Sequence, residues 1–334
     1  MRAVFSIKVA GLAWLLGAPC LGLAHHSPTN YDLGQVMEIE GEITRVLWRN
    51  PHVRFWVMHA EESGEETLWE VQATPVVHLM REGITRELFS VGDTIRVAGA
   101  PALRSVNEMH AYSVLLSGNR EYVLDAGAEP RWSDDAIRRT HNLPPSADPT
   151  LGIFRVWSGQ GGFSEERYTL TDAARAVAEE MARMPWDTVL DGCTPKGMPE
   201  IMAQPNPIEF ARQGDDILLR LEEYDTVRNI SMGSESAAGE RAPTLLGNSI
   251  GEWHGDTLVI TTTGIDYPWF RQSGIPQSEA LEVIERYTVN DEGSMLEMEL
   301  TATDPATFIG PAVLTKSWTW RPGMEVLPYQ CAEE

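Results

Sequence analysis

The chain has 334 residues, about twice the length of an average domain, and 43% of them are hydrophobic, so two packed cores are expected and general disorder is excluded. Lys and Arg number 26 against 49 Asp and Glu, a formal charge of −23. That balance argues against nucleic acid and anionic membrane surfaces, which need concentrated positive charge.

Residues 1–24 have the pattern of a secretory signal peptide. Arg2 and Lys8 lead an almost wholly apolar run, 9–23, and Gly22 and Ala24 are the small residues at −3 and −1 of a cut after Ala24. The run is too short for a stable anchor, and no second apolar stretch approaches about 20 residues, so no membrane span is expected and the location is periplasmic or secreted. Cys20 invites a lipoprotein alternative, but Pro19 before it is a poor lipidation context. Cleavage takes the formal charge to −25 and leaves Cys193 and Cys331. An even pair in an exported chain predicts one disulfide, closing a loop of nearly 140 residues. Without CxxC spacing, a metal-binding or catalytic thiol pair is the weaker alternative.

Within a first domain, 25–125, residues 34–125 alternate as strands do. Runs at 36–47 (broken at Gly41, a natural bend), 52–59, 68–72, 94–99 and 111–116 predict five strands. A short helix is expected at 76–80, with Thr74 as N-cap, Pro75 in the first turn and Gly83 as stop. A helix between the third and fourth of five strands is the order of a small OB-like barrel. Residues 126–162, with Pro130, Pro144, Pro145 and Pro149 among polar residues, predict a surface connector with one short helix at 134–140.

A second domain, 163–334, opens with a Thr171-capped amphipathic helix, 172–184, stopped by Pro185. Strands at 217–223, 226–232, 249–253, 257–263, 281–289, 295–301 and 313–320 follow, separated by Gly214-Asp215, Gly255-Asp256 and Asn290-Asp291-Glu292-Gly293. So many short strands predict a closed antiparallel β-barrel, a lipocalin-like meander, because closure removes exposed edges. The fold class is therefore mainly β, two barrels with a few short helices.

Two constellations offer chemistry. A cut after Ala24 exposes the amine of His25, and an amine with the imidazole of the same residue can chelate a metal. His26 follows, and His52 is the natural third nitrogen; such an all-nitrogen set suits copper, the one cofactor the sequence suggests. A solvated His-His end is the alternative. In the second domain, Glu223, Asp225, Glu279 and Glu285 are candidate acid–base carboxylates, and Arg228 or Arg286 a candidate anchor for a carbonyl or anionic oxygen. Trp253, Asn248 and Arg228 are candidates for ligand contact, with Trp269, Trp318 and Trp320 as further pocket walls. Against this stand a structural Glu285-Arg286 ion pair and ordinary core tryptophans. Gly-x-Ser-x-Gly, phosphate-loop, dinucleotide and His-Glu-x-x-His patterns are absent, and Gly159-Gln160-Gly161-Gly162 is linker-like.

His25-His26-Ser27, Tyr31-Asp32, Gly41, Trp48-Arg49-Asn50-Pro51-His52, Trp69, Gly83 and Gly92-Asp93 resemble an uncharacterised family of exported bacterial proteins. Members begin His-His-Ser when mature and carry Trp-x-Asn-Pro-His. The resemblance covers 25–125 and implies a periplasmic location and a role for His25, His26 and His52. Cys193-Thr194-Pro195-Lys196-Gly197-Met198-Pro199, 222–228, 251–257, Ser278-Glu279 and Glu285-Arg286 resemble a widespread uncharacterised domain of exported proteobacterial and acidobacterial proteins. That pattern has His where Asn248 and Gln277 stand here, which removes any histidine-based chemistry at those positions.

Three functions follow. The first is a periplasmic binding protein, with a small apolar molecule in the second barrel and copper at the mature N-terminus. The second is an enzyme using barrel carboxylates as an isomerase, cyclase or lyase on a small apolar substrate, and the third a structural role. Oligonucleotides, which OB-type barrels often bind, are disfavoured, because 25–125 holds 15 acidic against 8 basic side chains.

Overall fold

Alternating buried and exposed side chains build two barrels, one after the other along the chain. The computed structural model describes residues 31–331 except 62, 104, 126, 138–144, 184–192 and 234–241. The segment expected as a signal peptide, 1–24, and His25 and His26 lie outside the described residues.

The first barrel comprises β1 (Met37–Leu47), β2 (Arg54–Ala60), β3 (Glu66–Gln72), α1 (Val76–Arg81), β4 (Thr94–Pro101) and β5 (Glu108–Leu116), with β6 (Arg120–Val123) added beyond β5. The sheet runs β3-β2-β1-β4-β5, and a parallel β3–β5 pairing closes it, the expected OB-like arrangement. Ile43, Phe55, Val57, Val71, Val97 and Val114 fill the interior, capped by Leu79 of α1 and by Phe89. Gly41 permits the bend: a Cβ there would lie 2.1 Å from the Met58 carbonyl oxygen. The helix start differs from expectation. Pro75 itself occupies the N-cap and no side chain caps the turn, so Thr74 lies outside the helix.

The second barrel comprises β7 (Val156–Gly159), β8 (Glu165–Arg167), α2 (Asp172–Met181), β9 (Ile208–Gln213), β10 (Asp216–Leu221), β11 (Thr226–Met232), β12 (Asn248–His254), β13 (Thr257–Thr263), the β14 (Trp269–Arg271) and β15 (Ile275–Pro276) hairpin, β16 (Glu282–Val289), β17 (Met295–Thr303) and β18 (Ala312–Trp320). Nine strands close in the order β7-β9-β10-β11-β12-β13-β16-β17-β18 and back to β7, while β8 pairs with the other half of β18. All pairs are antiparallel except β11–β12, so the meander is broken once. Thr171 caps α2, accepting from the Ala174 N–H at 3.2 Å. Residues expected as connector contribute to this barrel: Ile153 and Trp157 lie in its core, and Gly159 lets the β7 backbone meet Trp318, whose ring would lie 2.4 Å from a Cβ. The helix expected at 134–140 is not formed over its described part, where a turn leads to a bridge between Ile137 and Tyr122.

A tail strap joins the barrels. Cys331 is disulfide-bonded to Cys193, as expected, and bridges in parallel to Asn50 in the loop between β1 and β2. The Asn50 amide donates to the Tyr329 carbonyl. On the other side, the N–H groups of Leu327 and Tyr329 donate to Glu222 (2.8 Å) and Asp225 (3.0 Å). Arg81 of α1 forms a two-pronged pair with Glu222, and His78 meets Asn206 at 2.6 Å. Among the described residues no helix is long and apolar enough to cross a membrane.

Candidate functional site

The second barrel does not present its expected ligand residues to one space. Arg228 is fully buried: its guanidinium donates to both Glu285 oxygens (2.5 and 3.0 Å), to Ser249 (2.9 Å) and to Thr262 (2.6 Å). Tyr287 donates to the same carboxylate at 2.7 Å, and burial with that neighbour pushes its phenol well up. With Trp157, Phe210, Tyr287 and Trp318, this network occupies the interior. An apolar guest would have to displace side chains packed at crystal-like density. Trp253 instead sits at the rim, 43% exposed and 6.3 Å from the Phe154 ring, and the Asn248 amide donates to the Ala242 carbonyl. The pairing expected within Glu285-Arg286 is also replaced, since adjacent strand residues face opposite sides and Arg286 is exposed.

The remaining carboxylates are dispersed. Asp225 clamps the tail, Glu279 is exposed, and Glu223 is buried against Lys196 at 2.6 Å. Near that pair lies Lys316, 3% exposed, donating to the Met202 and Gln204 carbonyls at 2.8 and 2.7 Å. Glu223, Glu200, Arg271 and Lys196 surround it, and burial, the largest influence, pushes its ammonium down to about 7. The unfolded chain therefore binds more protons than the fold above pH 7, so stability rises as pH climbs toward the ordinary lysine value. Urea titrations should show a higher midpoint at pH 9 than at pH 7, with the difference reduced in Lys316→Met. A wild-type midpoint that falls over this interval would contradict the buried setting.

A cavity of about 740 Å³ lies instead on the outer wall of the first barrel. Its floor is β4 and β5. A register shift between Ala98 and Gly99 adds an extra residue to β5, so that Ala111 pairs with Gly99 while Ser113 pairs with Ala98. The bulge turns Ser113 out of the inward alternation of Met109 and Ala111, and His110, Tyr112 and Ser113 all line the cavity. Gly99 allows the strands to meet there, since a Cβ would lie 2.1 Å from the His110 carbonyl oxygen. Tyr31 and His52 form one side. The roof is the segment after β6, held by the buried Glu121 carboxylate, which accepts from the backbone N–H groups of Arg131, Trp132 and Ser133 at 2.6–2.8 Å. Asp125 engages His110 Nε2 at 3.0 Å and the Gly127 N–H at 2.8 Å.

Tyr31 donates to Glu108 at 2.8 Å; burial, then this carboxylate, pushes its phenol far up, so it stays neutral at physiological pH. Tyr112 is also raised, first by burial and then by Asp125 and Asp32. His52 belongs to a segment fixed by Asn50, itself wholly buried beneath the tail strap. His59 turns away, its Nδ1 2.8 Å from the Glu40 carbonyl. Among the described residues no three His, Cys, Asp or Glu side chains form a metal-sized group; His25 and His26 are outside that set. The sequence pattern did not single out this cavity. Its signal was two large rings, His110 and Tyr112, on the wrong face of an amphipathic strand.

Residues 14–109 match a family of unknown function, DUF6152. The match runs through the first four strands into β5 and stops short of the second barrel, which accords with the resemblance to an uncharacterised family. No curated protein matches the chain.

Proposed function

We propose that the protein is an exported binding protein that takes copper at its mature N-terminus, through the amine and imidazole of His25 with His26 beside it and His52 as further ligand. The observation that carries this reading is that His52 and Tyr31 open onto one cavity. Tyr31 lies six residues after His25, and six extended residues reach about 20 Å, enough to return the N-terminus to His52. A disulfide accords with an oxidising compartment, periplasmic or secreted. The small-molecule partner is reassigned from the filled second barrel to the first-barrel cavity. For the acid–base alternative, Glu223 remains the one buried candidate with a carboxylate oxygen that no described residue engages.

Copper titration of protein beginning at His25 tests the reading. Binding should be tight at pH 7.5 and should weaken steeply below pH 6, as the amine and imidazoles take up protons. One extra residue before His25 should abolish the chelate, and His52→Ala should weaken it more mildly. Equal affinity with and without the extension would show that the amine is not a ligand.

A further inference from the structure

We propose that the cavity on the first barrel binds a small planar aromatic molecule that carries a hydroxyl group. The cavity includes His52 of the proposed copper set, yet the inference requires no metal and stands on other residues.

Size and shape come first. About 740 Å³ lies within the range of cavities that enclose small organic molecules, and a fused two-ring compound fits it. Its walls are aromatic: the Tyr31 and His110 rings lie 5.5 Å apart and those of His110 and Tyr112 5.9 Å apart, nearly perpendicular. Rings arranged in this way offer faces and edges to a further ring at the separations aromatic pairs prefer. At the mouth, Leu33 and Val36 are 51% and 45% exposed, an apolar rim that a flat hydrophobic guest would cover.

The polar groups select the substituent. Ser113 is 1% exposed, and no described residue pairs with its hydroxyl, although it lines the cavity. A buried hydroxyl without a partner costs free energy that a ligand oxygen would recover. His110 gives the complementary group. Asp125 accepts from Nε2, which in the neutral ring places the proton on that nitrogen and leaves Nδ1 as an acceptor. A ligand hydroxyl would donate to His110 Nδ1, and it would accept from Ser113 once that hydroxyl, now enclosed, turns toward the cavity. The Tyr31 hydroxyl is already committed to Glu108 and does not compete. Carboxylate and phosphate ligands are disfavoured, because Asp125 and Glu129 stand in the lining and its guanidinium, Arg131, is paired with Glu38.

The test is calorimetric titration of protein beginning at His25 with 2-naphthol, with EDTA present throughout. Saturable one-to-one binding is expected in the wild type. His110→Leu should weaken it about tenfold or more, and Ser113→Ala, which keeps the shape of the wall, should weaken it by a smaller factor. The saturated analogue decahydro-2-naphthol should bind the wild type about tenfold more weakly than 2-naphthol. Absence of saturable binding to the wild type overturns the proposal, as does an unchanged affinity in His110→Leu. Equal affinity for the saturated analogue overturns the aromatic assignment. Because EDTA removes free copper, failure of the copper titration and failure of this one are separate results.

Discussion

Arg228→Met is expected to lower the unfolding free energy by about 3–5 kcal/mol, the typical cost of breaking a buried pair by removing one partner. Glu285 would remain wholly enclosed, with the Tyr287 hydroxyl at 2.7 Å as its remaining donor. Ser249 and Thr262 are 3.0 Å apart and can satisfy one another, so the loss falls mainly on the carboxylate. The double variant Arg228→Met/Glu285→Leu removes both charges, and replacement of a whole buried pair by apolar groups is often close to neutral. It should therefore recover most of the loss. Urea titrations followed by near-ultraviolet circular dichroism read both values. A single-variant cost below about 1 kcal/mol, the scale of exposed pairs, would show that the network is not sealed from water.

Cys193→Ser combined with Cys331→Ser is expected to cost up to about 5 kcal/mol by the chain-entropy argument, because the bond closes a loop with a sequence separation of 138. The structural consequence is local. Without the bond, the strap keeps Leu327 and Tyr329 on Glu222 and Asp225, and among the described residues its end beside Asn50 keeps the bridge, one amide and the Tyr224–Tyr329 ring contact. Limited digestion with a glutamate-specific protease should then cleave faster after Glu325, which is exposed within the strap. An unchanged urea midpoint and digestion rate would mean that backbone contacts alone secure the tail.

Much of this architecture was legible where the period was clean. β11 and β13 coincide with the runs 226–232 and 257–263 because both are rich in β-branched residues and turn residues bound them. β7 and β8 were not legible, being three or four residues long, too short to show a period. Thr74 looked like a cap because Pro75 looked like the first helical residue; the proline is itself the N-cap and the helix begins one position later, at Val76. Glu285 could be recognised as a buried carboxylate candidate but not matched with Arg228, 57 positions earlier, since sequence proximity favoured Arg286 on the opposite face. The cavity was harder still. Its floor depends on a bulge and its roof on Glu121 reaching backbone groups ten to twelve residues ahead, and neither leaves a local pattern.

Glu121 also separates two jobs that loops usually combine. It grips main-chain N–H groups, which every residue except proline supplies, so the path of the roof at 131–133 is set without reference to the side chains there. Gly127, Ala128, Glu129 and Pro130 can then change their chemistry toward the cavity while its dimensions hold. Such a scaffold permits relatives to diverge in what they recognise through four neighbouring codons, with no compensating change in the barrel.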